Sequence, residues 1–445
     1  MRIIRLGAGA GYSGDRILPA VELAEKGNLD YLIFECLAER TVALAQLEKI
    51  KNSNLGFDPL LKDRMRAVLL TCKEKRVKII TNMGAANPKA AAEEILDIAK
   101  ELGIQSLKIG VVSGDDVLSV VISGDFLTME AGDPISALKN KIISANAYLG
   151  CEPIVEALKL GADIVITGRV SDPALFLAPL MYEFDWSASD WKLLSQGILA
   201  GHLLECAAQV TGGYFADPGY RDVPNLENLG FPIAEVSEDG AVIITKVEGS
   251  GGYVTKATCS AQLLYEIDDP SQYFQPDITA DFSKVTITEL APNRIKVENA
   301  AGAERPSNIK VTIGLRDGFI GDGQISYAGL GAVSRGQLAL QVLQKRIEAS
   351  GTQFLDIRYE LIGLNAIHGD HLSQGHEPYE VRVRVAARAN TIKEAEFVVN
   401  EVEAMYLNGP AGGGGATKLV REVISVVSTL IPRELIKPSV SILEL

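Results

Sequence analysis

The sequence predicts an α/β protein. An N-terminal parallel sheet, covered by helices on both faces, is followed by an α+β region with a ferredoxin-like βαββαβ unit. Over roughly the first 180 residues, continuous Val- and Ile-rich runs alternate with amphipathic segments, as in strands buried on both faces of a parallel sheet. The order of strands and helices in the last third predicts the βαββαβ unit.

The elements of the first part alternate along the chain. Several predicted helices are followed by a glycine of the kind favoured just beyond a helix end, such as Gly27, Gly103 and Gly161. The predicted strands are "RIIRLGAG", "YLIFEC", "VKIITNMG", "LKIGVVSGDD" and "ADIVITGR". The predicted helices are "DRILPAVELAEKG", "ERTVALAQLEKIK", "LLKDRMRAVLLTCKEK", "NPKAAAEEILDIAKELG", "EPIVEALKLG" and "DPALFLAPLMYEF".

The rest of the chain is less regular. A long helix is expected over "DWKLLSQGILAGHLLECAAQV", and a strand, a glycine turn and a helix over "AVIITKVEGSGGYVTKATCSAQLLYEI". The βαββαβ order comes from "GQISYAGL", "AVSRGQLALQVLQKRIEA", "FLDIRYELIG", "YEVRVRVAARA", "IKEAEFVVNEVEAMYL" and "REVISVVSTL". We therefore expect two domains, residues 1–270 and 271–445.

Composition restricts the class of partner. The 445 residues include 43 Lys and Arg against 57 Asp and Glu, a net charge of −14, which argues against nucleic acid or an anionic membrane. The five cysteines are odd in number and contain no CxxC pair, as in reduced proteins of the cytoplasm. The longest charge-poor apolar stretch, "PALFLAPLMY", is too short to span a bilayer. We expect a cytoplasmic homo-oligomer that binds a small molecule.

The opening glycines fit a dinucleotide-binding pattern. "GAGAGYSG" follows the first strand, and Glu35 ends the second, where an acid would bind a ribose. Two residues oppose this interpretation. Asp15 would place its charge beside a pyrophosphate, and Pro19 indicates that the helix begins several residues later, since proline belongs in a first turn. The glycines would then form a longer loop that presents Gly11, Ser13, Gly14, Asp15 and Arg16.

Polar residues follow each predicted parallel strand. Ligands of parallel sheets bind at the carboxyl ends of the strands, so these residues predict one site. Singly, they are explained equally well as helix caps. Candidate catalytic residues are Asp15, Glu35, Asp115 and Asp172. Candidate substrate-binding residues are Gly11, Ser13, Gly14, Arg16, Asn82, Ser113 and Arg169.

A third candidate lies on the predicted long helix. His202, Glu205 and Cys206 are spaced i, i+3 and i+4, so they share one helical face. A His–Glu pair could act in acid–base catalysis, and a His–Cys pair could hold half of a zinc site. A buried histidine bonded to its neighbour fits equally. We include His202 and Glu205 among the candidate catalytic residues.

The segment "EGSGGYVTKAT" lies between a strand and a helix. Free N–H groups of Ser250, Gly251 and Gly252 would form a cradle for a phosphate or carboxylate at the helix N-terminus. The alternative is a sharp turn with Thr255 as a simple helix cap.

A loop between two predicted strands, "HGDHLSQGH", contains His368, His371 and His376 with Asp370 between them. Imidazoles at this spacing could ligate a divalent metal. Solvated loop histidines are the alternative, and we assign no metal ligand and identify no cofactor.

The chain resembles the AtuA-like family of acyclic terpene utilisation proteins. The resemblance rests on "GAGAGYSGDR", "YLIFECLAERT", "NMGAANP", "ANAYLGCEPIVEALKLGADIVITGRVSDPAL", "GHLLECAAQVTGGYFADPG", "GFP", "GSGGYVT" and "QLLYEI", in that order. Longer members have an additional C-terminal domain. The resemblance implies cytosolic proteins associated with breakdown of terpenes such as citronellol and geraniol through branched acyl-CoA esters. It implies no catalytic residues.

Together these features predict a catabolic enzyme that acts by acid–base chemistry at the carboxyl edge of the sheet. Its substrate would be a carboxylated organic acid or a CoA-linked branched acyl group. Two alternatives remain open: an NAD(P)- or flavin-dependent oxidoreductase that uses the first glycine loop, and a non-catalytic subunit or binding protein.

Overall fold

A ten-strand sheet forms the centre of the larger part of the molecule, in a computed structural model that describes residues 2–373 and 375–445. The strands are β1 (Ile3–Ala10), β2 (Tyr31–Phe34), β3 (Lys78–Thr81), β4 (Lys108–Ser113), β5 (Ile142–Ala147), β6 (Ile164–Ile166), β7 (Pro232–Ser237), β8 (Val242–Lys246), β9 (Tyr273–Phe274), β10 (Thr279–Asp281), β11 (Thr286–Ala291), β12 (Arg294–Glu298), β13 (Ala301–Ala303), β14 (Asn308–Ala328), β15 (Asp356–Ile362), β16 (Glu380–Ala389), β17 (Gly414–Pro432) and β18 (Ser439–Glu444).

Twelve helices are described. They are α1 (Leu18–Lys26), α2 (Glu39–Lys51), α3 (Leu61–Lys75), α4 (Pro88–Glu101), α5 (Leu118–Ser123), α6 (Glu152–Lys159), α7 (Ala174–Phe184), α8 (Trp191–Leu204), α9 (Lys256–Leu263), α10 (Ala332–Ala349), α11 (Ile392–Glu403) and α12 (Met405–Asn408). Within the part of the chain that the structure describes, none of them is long and apolar enough to cross a bilayer.

The strand order of the large sheet is β11-β12-β8-β7-β1-β2-β3-β6-β4-β18. The five strands β1, β2, β3, β6 and β4 are parallel, as the sequence predicts. Antiparallel strands extend the sheet on both sides, β7, β8, β12 and β11 beyond β1, and β18 beyond β4. The α/β class is confirmed, and the sheet is mixed rather than purely parallel.

Helices cover both faces of the parallel strands. Every residue of β2 is buried, and successive side chains of a strand point to opposite faces. Both faces at β2 are therefore shielded from water. The helix α1 begins at Leu18 with Pro19 in its first turn, so the preceding glycines do form an extended loop.

By its internal contacts the chain divides into one unit up to Gly314 with Val426–Leu445, and a second unit, Leu315–Ser425. The chain passes from one unit to the other inside two strands, β14 and β17. The sequence places the domain boundary at residue 270 instead, and that division stays a prediction.

The smaller unit has the element order β, α, β, β, α, β, with a short α12 after α11. Its strand order is β15-β16-β14-β17, and its core includes Leu343, Val383 and Val398. The predicted strand "GQISYAGL" begins inside a longer, 21-residue strand, β14, which starts at Asn308. The closer likeness to ferredoxin-like folds stays a prediction.

A carboxylate-lined cavity at the strand ends

Residues from three parallel-strand ends, those of β1, β2 and β6, and from the end of α8 line one cavity of about 650 Å³. We call it the carboxylate cavity, because its lining contains six acidic side chains. Those side chains are Asp15, Glu35, Glu39, Asp172, Glu205 and Glu266. Gly11, Ser13, Arg169 and Cys206 also line it. Much of the predicted strand-end set is therefore brought together.

The loop after β1 is closed on itself. The Asp15 carboxylate accepts from the N–H groups of Gly11 at 2.9 Å and Arg16 at 2.8 Å. The fully buried Arg64 donates from Nη2 to the carbonyl oxygens of Tyr12, Ser13 and Asp15 at 2.8–3.3 Å. Since Asp15 occupies the Gly11 N–H, that donor does not face a pyrophosphate, which disfavours the dinucleotide interpretation of this loop.

Glu35, after β2, is fixed by its neighbours from two strand ends. Its Oε1 accepts from the Leu37 N–H at 2.8 Å and from the Asn82 amide, after β3, at 2.9 Å. The same Asn82 side chain accepts from the Cys36 N–H at 2.7 Å. Asn82 is fully buried, so it positions Glu35 from beneath the cavity lining.

Asp115, after β4, acts in the same way on Arg169. Its Oδ2 accepts from the Arg169 N–H and from the Asn146 amide, both at 2.9 Å. Asp115 is buried and does not line the cavity. These contacts are those of a residue that positions Arg169, and a catalytic role for Asp115 stays a prediction.

Arg169, two to three residues beyond β6, lies at the centre of the site. Its Nη2 is 2.9 Å from Asp172 Oδ1. Its guanidinium carbon lies 4.1 Å above the centre of the Tyr148 ring, a cation–π contact. The backbone bridge between Leu149 and Val170 holds the two side chains together. Among the described residues, the buried Nε and Nη1 of Arg169 have no hydrogen-bond partner.

Glu39, at the start of α2, joins the same group from the other side of Tyr148. The Tyr148 hydroxyl donates to Glu39, and Lys310 Nζ lies 3.2 Å from the same carboxylate oxygen. Lys310 Nζ also lies 4.9 Å from the centre of the Tyr148 ring. The ring thus contacts both Arg169 and Lys310.

His202 and Glu205 form a pair at the end of α8. His202 Nδ1 and Glu205 Oε1 are 2.9 Å apart, and His202 has no exposed surface. Glu205 Oε2 is buried and unpartnered among the described residues, and Glu205 lines the cavity. Burial raises the pKa of the neighbouring Cys206 thiol, which disfavours its nucleophilic thiolate form.

The pKa values of the acidic side chains that line the cavity are shifted in opposite directions. Burial, helped by the nearby Asp172, raises the pKa of Glu35 to about 8. Burial also raises the pKa of Glu205 to about 7, against the opposing effect of His202. For Glu39, burial is opposed by the Tyr148 hydrogen bond and by Arg169, which together lower its pKa to about 2. Near neutral pH the site contains both protonated and ionised carboxyl groups.

Seven predicted binding residues do not line the cavity: Gly14, Arg16, Asn82, Ser113, Ser250, Gly251 and Gly252. Ser113 pairs with Ser439 of β18, and the exposed Arg16 points Nη1 toward the Leu229 carbonyl at 3.5 Å. For Ser113, the missed strand β18 covers the end of β4.

The predicted anion cradle is wrong. The N–H groups of Ser250, Gly251 and Gly252 donate to backbone carbonyls, at 3.3, 2.9 and 2.8 Å respectively. Thr255 caps α9 through a reciprocal bond with Thr258. The glycines turn the chain, as the alternative proposed.

The described residues include no group of three or more His, Cys, Asp or Glu side chains placed to hold a metal. His368, His371 and His376 lie in a turn-rich segment of the smaller unit, in which Gln374 falls outside the described residues.

The sequence missed several site residues. Tyr148 follows β5, a strand that was not predicted, so its position at a strand end was not visible. Tyr265 and Glu266 follow α9 and reach the cavity through tertiary packing alone. Arg64 lies in the first turn of α3, and arginine is mostly exposed in folded proteins.

Fold and site define a mixed α/β protein with a buried carboxylate–arginine cavity at the carboxyl ends of its parallel strands. A model of the acyclic terpene utilisation family protein AtuA matches residues 4–442, and the chain belongs to this family. The family associates the protein with acyclic terpene utilisation. Neither a curated protein nor a solved structure matched the chain.

Proposed function

We propose that the carboxylate cavity is the active site of an enzyme that acts on a branched acyl substrate, either a free carboxylate or a CoA thioester, by acid–base chemistry. The observation that carries the proposal is Arg169, which lines a cavity together with carboxyl groups of raised pKa and has two buried guanidinium nitrogens, Nε and Nη1, without a partner among the described residues. A family role in acyclic terpene utilisation supports the choice of a branched acyl substrate.

Arg169 would bind the carboxylate or carbonyl oxygen of the substrate. Its orientation is fixed on one edge by Asp172 and on its face by Tyr148. The unpartnered Nε and Nη1 lie on different edges of the guanidinium, and each offers an N–H donor for a substrate oxygen. The six acidic side chains of the lining leave room for one anionic group at most, at Arg169, so the phosphates of a CoA ester would lie outside the cavity.

Glu35 and Glu205 would transfer the proton. A general acid or base is most effective when its pKa lies near the working pH, which holds for both groups. Glu35 is mostly protonated near neutral pH and can donate. The unpartnered Oε2 of Glu205 can accept, with His202 behind it to stabilise either charge state.

Backbone strain at the cavity fits a functional site. Tyr214 and Glu266, both in the lining, have φ of 57°. Non-glycine residues in this region are uncommon, and such strain concentrates at active sites.

The binding step is tested by calorimetric titration of citronellate into the wild type and the Arg169→Gln variant. Loss of charge-assisted hydrogen bonds predicts at least about tenfold weaker binding. Arg221→Gln is a matched control, because Arg221 also stacks on an aromatic ring, Phe215, beside an aspartate, Asp217, but lies outside the cavity. Equal affinity of both variants for citronellate would refute the assignment.

The proton-transfer step is tested by NMR in D₂O. We expect the protein to exchange deuterium into the position next to the carbonyl of citronellyl-CoA. Glu35→Gln and Glu205→Gln should each slow this exchange by about a hundredfold or more. Glu48→Gln, on the exposed side of α2, should leave it unchanged. Exchange at the wild-type rate in both cavity variants would exclude these residues as the acid and the base.

A further inference from the structure

A second cavity, of about 560 Å³, adjoins the carboxylate cavity. The two share three lining residues, Glu39, Arg169 and Asp172. We call the second one the apolar cavity, because most of its remaining lining is hydrocarbon or aromatic. That lining includes Met129, Tyr148, Phe274, Pro276, Ile309 and Leu430.

The walls of the apolar cavity are held by hydrogen bonds between distant segments. The Met129 N–H donates to the Ser428 carbonyl at 2.8 Å, and Thr429 Oγ1 donates to the Leu127 carbonyl at 2.8 Å. These bonds fix Met129 beside Leu430.

A partly buried arginine fixes another part of the wall. Arg433 Nη2 donates to the carbonyl oxygens of Pro276 and, at 3.1 Å, of Pro306. Both prolines belong to the lining. Specific hydrogen bonds between distant segments therefore hold the lining residues of the apolar cavity in place.

We propose that the apolar cavity binds the hydrocarbon chain of an aliphatic carboxylate or thioester whose carbonyl end lies on Arg169. This inference rests on the proposed function, because it uses Arg169 as the polar end of the site. The volume lies within the range of small-molecule sites, about 300–1,000 Å³. The shared residues place the apolar surface directly next to the proposed proton donors and acceptors.

The consequence is a dependence of affinity on chain length. Each methylene that enters an apolar site gains about fourfold in affinity, from the transfer free energy of one CH₂ group. The increments should continue until the chain fills the apolar cavity. Branching should be tolerated, because most of the lining is aliphatic or aromatic and its contacts with a hydrocarbon chain are non-directional.

The test is a calorimetric series of butanoate, hexanoate, octanoate and citronellate. For the wild type we expect affinity to rise about fourfold per methylene. Leu430→Trp and Met129→Trp, both at partly exposed lining positions, should remove the gain for octanoate and leave butanoate binding unchanged. Leu290→Trp, at an equally exposed position outside both cavities, is the control.

The outcomes separate the two proposals. Affinity that is independent of chain length in the wild type would overturn the inference, whether or not the tryptophan variants fold. If butanoate still binds and Arg169→Gln abolishes that binding, the proposed carboxylate site survives alone. If octan-1-ol binds equally to the wild type and to Arg169→Gln while carboxylates do not bind, the apolar cavity survives and the proposed function fails.

Discussion

Replacing Glu35 by glutamine should stabilise the protein at neutral and alkaline pH. Glu35 is 8% exposed, and its pKa is raised from 4.5 to about 8 by burial and by the neighbouring Asp172. In the unfolded chain the carboxyl group ionises near its ordinary pKa. Between the two values the folded state binds more protons than the unfolded state, so the contribution of Glu35 to stability is present at low pH and falls as pH rises.

The magnitude follows from the difference between the two pKa values. At about 1.4 kcal/mol per pKa unit, the rise from 4.5 to about 8 corresponds to about 5 kcal/mol. Between about pH 5 and pH 8, roughly 3.5 kcal/mol of this is lost from the wild type. The Glu35→Gln variant keeps a side-chain oxygen for the Leu37 N–H and the Asn82 amide but cannot ionise, so it escapes the loss.

The measurement is urea denaturation at a series of pH values, followed by tryptophan fluorescence. The two tryptophans, Trp186 and Trp191, both lie in the larger unit and report on its unfolding. The free-energy difference between variant and wild type should grow by about 3.5 kcal/mol from pH 5 to pH 8. Glu48→Gln, a solvent-exposed carboxyl on α2, should run parallel to the wild type. Parallel curves for Glu35→Gln and wild type would refute the assignment of a buried, protonated Glu35.

Three further changes test other parts of the site. Asp115→Ala should lower the free energy of unfolding by about 2–6 kcal/mol, because two buried N–H donors lose their acceptor. Asp115→Asn should cost less, since it keeps a side-chain oxygen. Equal costs would contradict the positioning role of Asp115. Gly251→Ala should destabilise the protein by about 1–3 kcal/mol, because the new Cβ would lie 2.2 Å from the Asn225 carbonyl oxygen. Unchanged stability together with weaker citronellate binding would instead support the anion-cradle interpretation. His202→Gln should move the midpoint of the pH dependence of deuterium exchange upward from about 7, because His202 lowers the pKa of Glu205. An unchanged midpoint would show that the ionisation of Glu205 does not control the exchange reaction.

The parallel strands and their polar ends could be predicted because both are local patterns. A continuous apolar run such as "YLIFEC" identifies a doubly buried strand, and the residue that follows must lie at the carboxyl edge. Glu35, Arg169 and Asp172 reach the cavity for this reason.

The remaining features depend on long-range contacts that no local pattern contains. The strand β18 pairs with β4 across more than 300 residues and covers Ser113. Tyr148 reaches Arg169 through a backbone bridge between residues 149 and 170. The role of the "GSGG" segment was ambiguous, because its sequence is the same whether its N–H groups are free or hydrogen-bonded. The carbonyl oxygens of Val247, Asn228 and Pro224, which accept from these N–H groups, decide in favour of the turn.

The two buried arginines of the larger unit show why Arg169 is better explained as a ligand-binding residue than as a structural one. Arg64 donates to three backbone carbonyls and pairs with Asp58 at 3.2 Å, so among the described residues Nε is its only nitrogen without a partner. Arg169 is buried to a similar degree, yet its described contacts are one carboxylate and one aromatic face, and both Nε and Nη1 are unpartnered. Burying donors without acceptors costs free energy that a purely structural arginine has no reason to retain. Ligand oxygens beside Nε and Nη1 would supply the missing acceptors, which is why the Arg169→Gln and Arg221→Gln titrations are the most direct test of the site.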